Sequence, residues 1–284
     1  MQNKRKVEVV VLSDIHLGTR GCRSNELLSY LKTIQPQILI LNGDIIDMWQ
    51  FKKNYWPASH MKVIKHIIGL ASKKTKVYYI TGNHDEVLRR FAGFKIGNLN
   101  IVNQLVIELD GKTHWFFHGD VFDVIMKHSK WLAKAGAVGY DSLIWINTIV
   151  NRSRNWLGLG RVSLSKRIKD NVKSAVKHIH NFEITAAQLA ASKGYQAIVC
   201  GHIHQPEIRK SVINNQVIDY LNSGDWIENM SALEYMDEKW TMYLHQEMFE
   251  LTNEAHNADD EASLPIEDMK TKVLFQKLLE EFQS

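Results

Sequence analysis

Hydrophobic positions in the first third of the chain follow two alternating spacings. Val7–Leu12, Ile38–Leu41 and Val77–Ile80 are short continuous apolar runs rich in β-branched residues, which are typical of buried strands. Between them, Glu26–Ile34 and Met61–Leu70 place apolar residues three and four apart, a spacing that predicts helices. The order strand, helix, strand, helix, strand indicates a parallel α/β architecture.

Strand-like patterns return after residue 104. Leu105–Leu109 and His114–Phe117 flank Asp110-Gly111, a pair that favours a tight hairpin. Five more strands are predicted, with Asn214-Asn215 as a turn between two of them: Ala197–Cys200, Glu207–Ile213, Gln216–Asn222, Ala232–Tyr235 and Thr241–His245. The intervening region is mostly helical in pattern. We therefore expect a core from residues 1–120 and 183–246, a helical cap insertion at 121–182, and a tail at 247–284 that is flexible with a short terminal helix.

Charge is unevenly distributed around a net charge of +4 over 284 residues. Asp123–Phe182 contains 11 Lys/Arg against 3 Asp/Glu, whereas Glu247–Ser284 contains 3 Lys against 10 Asp/Glu. Two cysteines make no disulfide framework, and the six-residue apolar run at the start is too short for a signal peptide or a membrane span. We expect a soluble cytoplasmic protein whose basic, apolar insertion contacts the anionic inner face of the membrane.

Each of five predicted strands ends at residues of the types that bind metals. An α/β sheet builds its site at such strand ends, so we expect all of them on one edge of a sheet. In an extended segment residues i and i+2 face the same side, which predicts that Asp14 and His16 grip one ion. The same argument pairs His202 with His204. The candidate ligands are Asp14, His16, Asp44, Asn83, His118, His202 and His204. They form five short blocks, one at the end of each strand, and glycines adjoin the ligands in four of these blocks at Gly43, Gly82, Gly119 and Gly201.

The chemistry of this set favours hard or borderline divalent ions. Imidazoles, carboxylates and one carboxamide, with no thiolate, suit Mn, Fe or Zn, of which manganese is our leading prediction. Seven ligands exceed one tetrahedral site and fit two ions about 3.5–4 Å apart. Asp44 is the natural shared ligand, because a carboxylate has two oxygens.

In these blocks the chain resembles the calcineurin-like metallophosphoesterases. The matching series, in order, is Asp14-x-His16, Gly43-Asp44, Gly82-Asn83-His84-Asp85, His118 and Gly201-His202-x-His204. The resemblance implies a two-sheet α/β/β/α sandwich with helices outside. It also implies one metal at Asp14, His16, Asp44 and His204, and a second at Asp44, Asn83, His118 and His202. His84 matches the motif histidine that faces the substrate phosphate.

A closer resemblance is to the UDP-2,3-diacylglucosamine pyrophosphatases. It is carried by Ser13–Gly18, Gly43–Asp47, His118–Asp120 and the helical insertion before Gly201. One departure is His84, where the well-understood members have arginine, which places this chain in a neighbouring branch. The resemblance implies hydrolysis of the pyrophosphate of a nucleotide-linked glycolipid by water activated between two ions. Asn83 and His84 would hold a phosphoryl oxygen, and His84 would protonate the leaving group.

Three other functions stay open from the residues. One is a phosphodiesterase or phosphatase acting on another soluble metabolite; another is a nuclease; the third is a metal-bearing scaffold. Undegraded ligand blocks argue against the scaffold. Nucleic acid is not an expected partner, because the basic residues of the insertion alternate with an apolar stripe.

The insertion is indicated by the long spacing between the fourth and fifth ligand blocks. The first four blocks, at Asp14, Asp44, Asn83 and His118, are 30, 39 and 35 residues apart, the length of βα units, whereas 84 residues separate His118 from His202. We expect a cap that roofs the metals and receives an apolar, anionic substrate; the alternative is a helical hairpin with a solvated basic face. Candidate substrate contacts are Asp123, Lys166, Arg167 and Lys173. Asp47, Asp85 and Asp120 stay open between orienting an imidazole and a plain turn role.

Overall fold

A computed structural model of the chain describes residues 4–49, 55–122 and 179–245. The tail at 247–284 and nearly all of the predicted cap, including its four candidate substrate contacts, lie outside the described residues. The elements in chain order are β1 (Arg5–Leu12), α1 (Ser24–Thr33), β2 (Ile34–Asn42), α2 (Ala58–Ala71), β3 (Lys76–Ile80), a 3-10 helix (Glu86–Phe91), β4 (Lys95–Ile96), β5 (Leu99–Val102), β6 (Leu105–Leu109), β7 (Lys112–Phe116), α3 (179–192), β8 (Ala197–Cys200), β9 (Glu207–Ile213), β10 (Gln216–Asn222), β11 (Ser231–Met236) and β12 (Lys239–Leu244).

The first sheet has seven strands in the order β12-β11-β1-β2-β3-β5-β4. Its centre is parallel, with Val10 of β1 beside Leu39 of β2 and Leu39 beside Val77 of β3. The predicted strand–helix–strand–helix–strand series is therefore confirmed as parallel α/β. Antiparallel strands close both edges, since β11 pairs with β1 and β4 pairs with β5.

The second sheet has five strands in the order β6-β7-β8-β10-β9. The predicted hairpin at Asp110-Gly111 joins β6 to β7, and Asn214-Asn215 joins β9 to β10. All four turn residues have positive φ, as tight hairpin turns require. Strands β7, β8 and β10 run parallel, so their carboxyl ends meet at one edge.

Alternation along β1 assigns its two faces to different layers. Val9 and Val11 pack with Phe116 and Val199 of the second sheet, whereas Val10 and Leu12 pack with the layer of α1 and α2. Beside the second sheet, ring contacts run from Trp115 through Phe117 and Phe122 to Phe182 of α3. Such burial stabilises the fold by about 1.5–3 kcal/mol for each large apolar side chain. The two-sheet sandwich with helices is the predicted fold class, and it is confirmed.

The stretch between Asn83 and His118 differs from the expected βα unit. It contains the 3-10 helix and four short strands, and between Val102 and Leu105 the chain passes from the first sheet to the second. The ligand blocks consequently follow strands of both sheets, and the expectation of a single sheet edge was wrong. A two-residue crossing between half-buried strands has no hydrophobic signature, which is why the periodicity did not reveal it.

Within the described ranges, no helix is both long enough and apolar enough to span a bilayer.

Candidate metal centre

The loops at the strand ends turn through an unusual backbone conformation. Five of the predicted ligands have positive φ: Asp14 (51°), His16 (53°), Asp44 (55°), His202 (71°) and His204 (54°). Left-handed backbone costs a residue with a Cβ about 1–2 kcal/mol, and such strain gathers at functional sites. Neighbouring loops hold it in place, because the backbone N–H of Asp14 donates to Gly43 O and that of His16 donates to Asp44 O, both at 3.0 Å.

One cluster contains Asp14, His16 and His204. One potential ligand atom from each lies within 4.8 Å of the others. Asp14 Oδ1 is 3.3 Å from His204 Nε2, and His16 Nδ1 is 3.1 Å from Asp47 Oδ2. The Nε2 atom of His16 is buried and has no hydrogen-bond partner. Asp14 and His16 thus converge as predicted, through left-handed backbone and not through an extended segment.

A second cluster contains Asp44, His118 and His202. His118 Nδ1 lies 2.9 Å from the carbonyl oxygen of Asn42, which only accepts, so Nδ1 carries the proton. In the neutral ring the lone pair is then on Nε2, which lies 3.1 Å from Asp44 Oδ2. Such a backbone acceptor fixes the tautomer of a histidine that binds a metal.

His202 and His204 belong to different clusters, so the expectation that they share one ion was wrong. Both have left-handed backbone, which breaks the i, i+2 alternation of an extended strand. Their separation follows the division of ligands that the family resemblance implied.

The remaining candidate ligand is Asn83, which lies in the loop after β3. Its side-chain oxygen is buried and has no hydrogen-bond partner, like His16 Nε2. A buried polar atom without a partner costs about 1–3 kcal/mol, and both of these atoms are good ligands for a divalent ion. The donor set and its unsatisfied atoms fit bound metal.

The pKa values of the carboxyl and imidazole groups in the two clusters also bear on metal binding. Burial raises the pKa of Asp44, but the charge and hydrogen bond of His118 together with the charge of His16 outweigh it and bring the value to about 2. Burial lowers the pKa of His204, but Asp14 raises it to about 9. The carboxylates are therefore ionised at neutral pH, and a metal must compete with protons for His204.

Asp47 joins two imidazoles. Its Oδ2 lies 3.1 Å from His16 Nδ1 and 3.0 Å from His84 Nδ1, and the side chain is fully buried. His84 is also fixed by its backbone, because its N–H donates to Asp44 Oδ1 at 2.8 Å, and its Nε2 lies 4.0 Å from Asp44 Oδ2. Of the two roles left open for Asp47, the contacts are those of a group that orients imidazoles.

Asp85 and Asp120 contact no imidazole of the two clusters through a hydrogen bond in the described residues. Asp85 accepts from the hydroxyl of Tyr79 (2.6 Å), the backbone of Ile45 (2.9 Å) and the backbone of Gly82 (2.6 Å). It therefore ties the loop of Asp44 to the loop of Asn83. Asp120 forms an ion pair with Arg89.

Sequence reasoning missed Asp225, which follows β10. Its Oδ1 accepts backbone N–H groups of Ile227 (2.8 Å) and Glu228 (2.6 Å), and its Oδ2 lies 3.9 Å from His204 Nδ1. Asn229 completes this support by donating to the backbone oxygen of His204 at 2.8 Å. A signal was available, because Gly224-Asp225 follows a predicted strand as Gly43-Asp44 does.

Two of the glycines are required by close approach. A Cβ on Gly43, where φ is +86°, would lie 2.3 Å from His118 Nδ1, and a Cβ on Gly82 would lie 2.2 Å from Asp44 Oδ1. At either position a methyl group would occupy space that a candidate ligand needs.

Comparison with known proteins places these residues in a family. The family model for calcineurin-like phosphoesterases matches residues 7–206, which include all seven candidate ligands. A protein named UDP-2,3-diacylglucosamine hydrolase from Aliivibrio fischeri is 24% identical over 83% of this chain and 97% of its own length. One of the same name from Aeromonas salmonicida is 25% identical over 80% of this chain and 89% of its own.

Among solved structures, an archaeal phosphodiesterase is 12% identical, with a TM-score of 0.40 over 83% of this chain and 98% of that chain. That level of similarity decides nothing about substrate. The family match extends over more than two thirds of the chain, and members of this family use divalent metals. The chain is therefore a hydrolase of phosphoric esters or anhydrides and belongs to the calcineurin-like phosphoesterases.

Proposed function

We propose that the chain is a dinuclear metal-dependent hydrolase that cleaves the phosphoanhydride of a UDP-2,3-diacylglucosamine-type glycolipid. The observation that carries the dinuclear part is the contact of Asp14 with both clusters. Its Oδ1 lies 3.3 Å from His204 Nε2 of the first cluster, while its Oδ2 accepts the backbone N–H of His202 of the second at 3.0 Å. Two sets of ligand atoms thus stand side by side.

In this proposal one ion would be held by Asp14, His16, Asp44 and His204, and the other by Asp44, Asn83, His118 and His202. Two divalent ions, manganese in the first place and iron or zinc otherwise, would lower the pKa of the attacking water and neutralise charge on the phosphoryl oxygens. Asp44 would be common to both sets; its Oδ1 accepts the backbone N–H of His84, and its Oδ2 faces the ring of His118.

His84 is proposed to act on the phosphoryl group. Burial lowers its pKa, but the hydrogen bond to Asp47 and the charge of Asp44 outweigh that effect, so the net pKa is raised. These contacts favour the charged form of the imidazole, in which Nδ1 is held by Asp47 and Nε2 carries an N–H. That N–H can donate to a phosphoryl oxygen and pass its proton to the leaving oxygen. Asn83 is adjacent and contributes its carboxamide.

The substrate assignment rests on the relatives and on the ordinary chemistry of the bond. Several proteins named UDP-2,3-diacylglucosamine hydrolase match at 22–25% identity over most of their length. Adding water across the P–O–P bridge would give a nucleoside monophosphate and a diacylglucosamine phosphate. The rival is a phosphodiesterase or phosphatase for a soluble metabolite, which stays open because His84 stands where the well-understood pyrophosphatases have arginine.

Membrane contact is a further part of the proposal and depends on the insertion. Local charge there is +8, and each Lys or Arg near an anionic surface contributes about 1 kcal/mol. Neutralising Lys166, Arg167 and Lys173 together should weaken binding to anionic vesicles and raise KM for a lipid-linked substrate. A small soluble phosphodiester should be hydrolysed as before.

The experiment compares three substrates on purified protein supplied with Mn²⁺: UDP-2,3-diacylglucosamine, UDP-N-acetylglucosamine and a cyclic nucleotide. We expect the glycolipid to be cleaved most efficiently and two ions to be counted per chain by elemental mass spectrometry. Asp44→Ala should lose both ions and nearly all hydrolysis, whereas the matched control Asp219→Ala, in the second sheet, should lose neither. One ion per chain at full activity would reject the dinuclear centre. Preferential cleavage of the cyclic nucleotide would reject the glycolipid as the substrate.

A further inference from the structure

A small cavity lies beside the candidate metal centre. It has a volume of about 270 Å³, and His118 forms part of its wall. Its position follows from the order of strands, because Asn103 and Gln104 come directly after β5, the neighbour of β3 whose end carries Asn83. A group esterified to a phosphate at the metals would therefore reach this cavity first on that flank.

The hydrogen-bonding direction of one wall residue is fixed by chemistry. Trp115 Nε1 lies 2.9 Å from Gln104 Oε1, and an indole N–H only donates, so the oxygen of Gln104 faces the tryptophan. The amide NH₂ of Gln104 is thereby directed away from Trp115. Asn103 is similarly oriented, because the hydroxyl of Thr81 donates to its Oδ1 at 3.2 Å. Each of these two lining residues thus has its amide oxygen engaged and keeps its NH₂ group as a donor.

Charge and size limit what the cavity can hold. The positive charge of Arg89 is balanced by its ion pair with Asp120, so the wall has no net charge to attract a second anion. The apolar part of the wall consists mainly of the rings of Trp115 and Phe117, with Val121 as its one aliphatic residue, and flat rings suit a planar base better than acyl chains. A neutral group rich in carbonyls and hydroxyls meets both conditions.

We propose that this cavity is the subsite for the nucleoside of the substrate, a proposal that rests on the proposed function. Gln104 and Asn103 donate to carbonyl oxygens of the base, and Asp120 accepts from a ribose hydroxyl or from the ring N–H of a pyrimidine. The acylated sugar, on the other side of the bridge, is then directed away from this flank.

The test measures inhibition of bis(4-nitrophenyl) phosphate hydrolysis by the Mn²⁺-loaded enzyme. Uridine 5′-monophosphate, ribose 5-phosphate and inorganic phosphate are compared in the parent, in Gln104→Glu and in the control Gln37→Glu. Gln104→Glu keeps the acceptor for Trp115 and replaces the amide donor with a carboxylate. The control makes the same change at Gln37, an exposed position in the amino-terminal half of β2, whereas the candidate ligands follow the carboxyl ends of the strands. Calorimetric titration of uridine 5′-monophosphate gives a readout that does not depend on turnover.

We expect uridine 5′-monophosphate to bind the parent roughly 10-fold more tightly than ribose 5-phosphate, and Gln104→Glu to remove most of that difference, as the loss of one or two hydrogen bonds predicts. Inorganic phosphate and the control variant should show no change. Equal binding of the two phosphates by the parent would overturn the subsite, as would an unchanged nucleotide affinity in Gln104→Glu. If the glycolipid is not cleaved while the nucleotide preference persists, the substrate assignment fails and the nucleoside subsite stands.

Discussion

Replacing Asp47 with alanine should weaken metal binding and catalysis together. The carboxylate is fully buried, and one oxygen lies 3.1 Å from His16 Nδ1 and 3.0 Å from His84 Nδ1. The other oxygen accepts the backbone N–H of Trp49 at 3.0 Å. Without this acceptor, neither imidazole has its tautomer and ring orientation held at Nδ1. Because His16 is a proposed ligand and His84 a proposed acid, one substitution acts on two functions.

The magnitude follows from those two contacts. Removing the group that orients a ligating histidine typically costs 10–100-fold in metal affinity. Loss of a positioned acid costs about 10²–10⁴-fold in rate. At subsaturating Mn²⁺ both effects should appear, whereas at saturating Mn²⁺ only the loss in kcat should persist. Asp47→Asn should be intermediate, because a neutral amide oxygen is a weaker acceptor for the two rings than the charged carboxylate oxygen.

The assay is a Mn²⁺ titration of phosphodiester hydrolysis, with metal content measured on the same samples. His84→Ala separates the two effects, because it should keep both ions and lose only rate. Combining Asp47→Ala with His84→Ala should cost much less in kcat than the sum of the single changes, as expected for residues that act as a unit. Parent-like metal affinity and kcat in Asp47→Ala would refute the role.

Three further outcomes are expected from unfolding measurements. Gly111→Ala should cost about 1–2 kcal/mol, because φ is +75° there and the space is open, whereas Gly43→Ala should add about 1–3 kcal/mol of overpacking and lose metal. Burial lowers the pKa of His114, whose neutral ring accepts the N–H of Trp240 Nε1. The stability that this neutral ring contributes is therefore complete above pH about 6.5 and is lost as the pH falls below that value. In denaturant titrations the free energy of unfolding of His114→Gln should decline less steeply between pH 7 and pH 5 than that of the parent. Tyr30→Phe should lower the free energy of unfolding by about 0.5–1.5 kcal/mol without changing activity, because its hydroxyl donates to a buried carboxylate on β11.

Periodicity was sufficient for the elements that are buried on both faces. Val7–Leu12, Ile38–Leu41 and Val77–Ile80 were predicted within a few residues of the strands that form, because continuous apolar runs occur where a sheet is covered on both sides. The short strands β4 and β5 were not predicted. Their side chains are half-buried or exposed, so no hydrophobic pattern distinguishes them from a loop.

Residue types located the candidate site better than they explained its geometry. Strand ends with Asp, Asn and His identified the residues that the fold brings together, but their division between two sheets required the chain crossing after β5. Asp47 illustrates the limit in another way. Its distance in sequence from His16 and from His84 gives no indication that one carboxylate oxygen serves both rings.

The residues with left-handed backbone show how one residue at a strand end can form the turn and also supply a metal ligand. Of the eleven non-glycine residues with positive φ in the described part of the chain, nine are Asp, Asn or His. These are the side chains enriched among non-glycine residues in that conformation, and they also supply the oxygen and imidazole ligands of divalent ions. Five of the nine are proposed ligands, so the sharp reversal that ends a strand is made by the same residue that would bind the metal. A backbone turning at the ligand itself brings main chain and ion close without a longer loop. For the same reason the i, i+2 argument for extended chain grouped Asp14 with His16, which lie in one cluster, but failed for His202 and His204, which lie in different clusters. The types of the ligands can be read from the sequence, whereas the direction of a left-handed turn is set by the neighbouring loops that hold it.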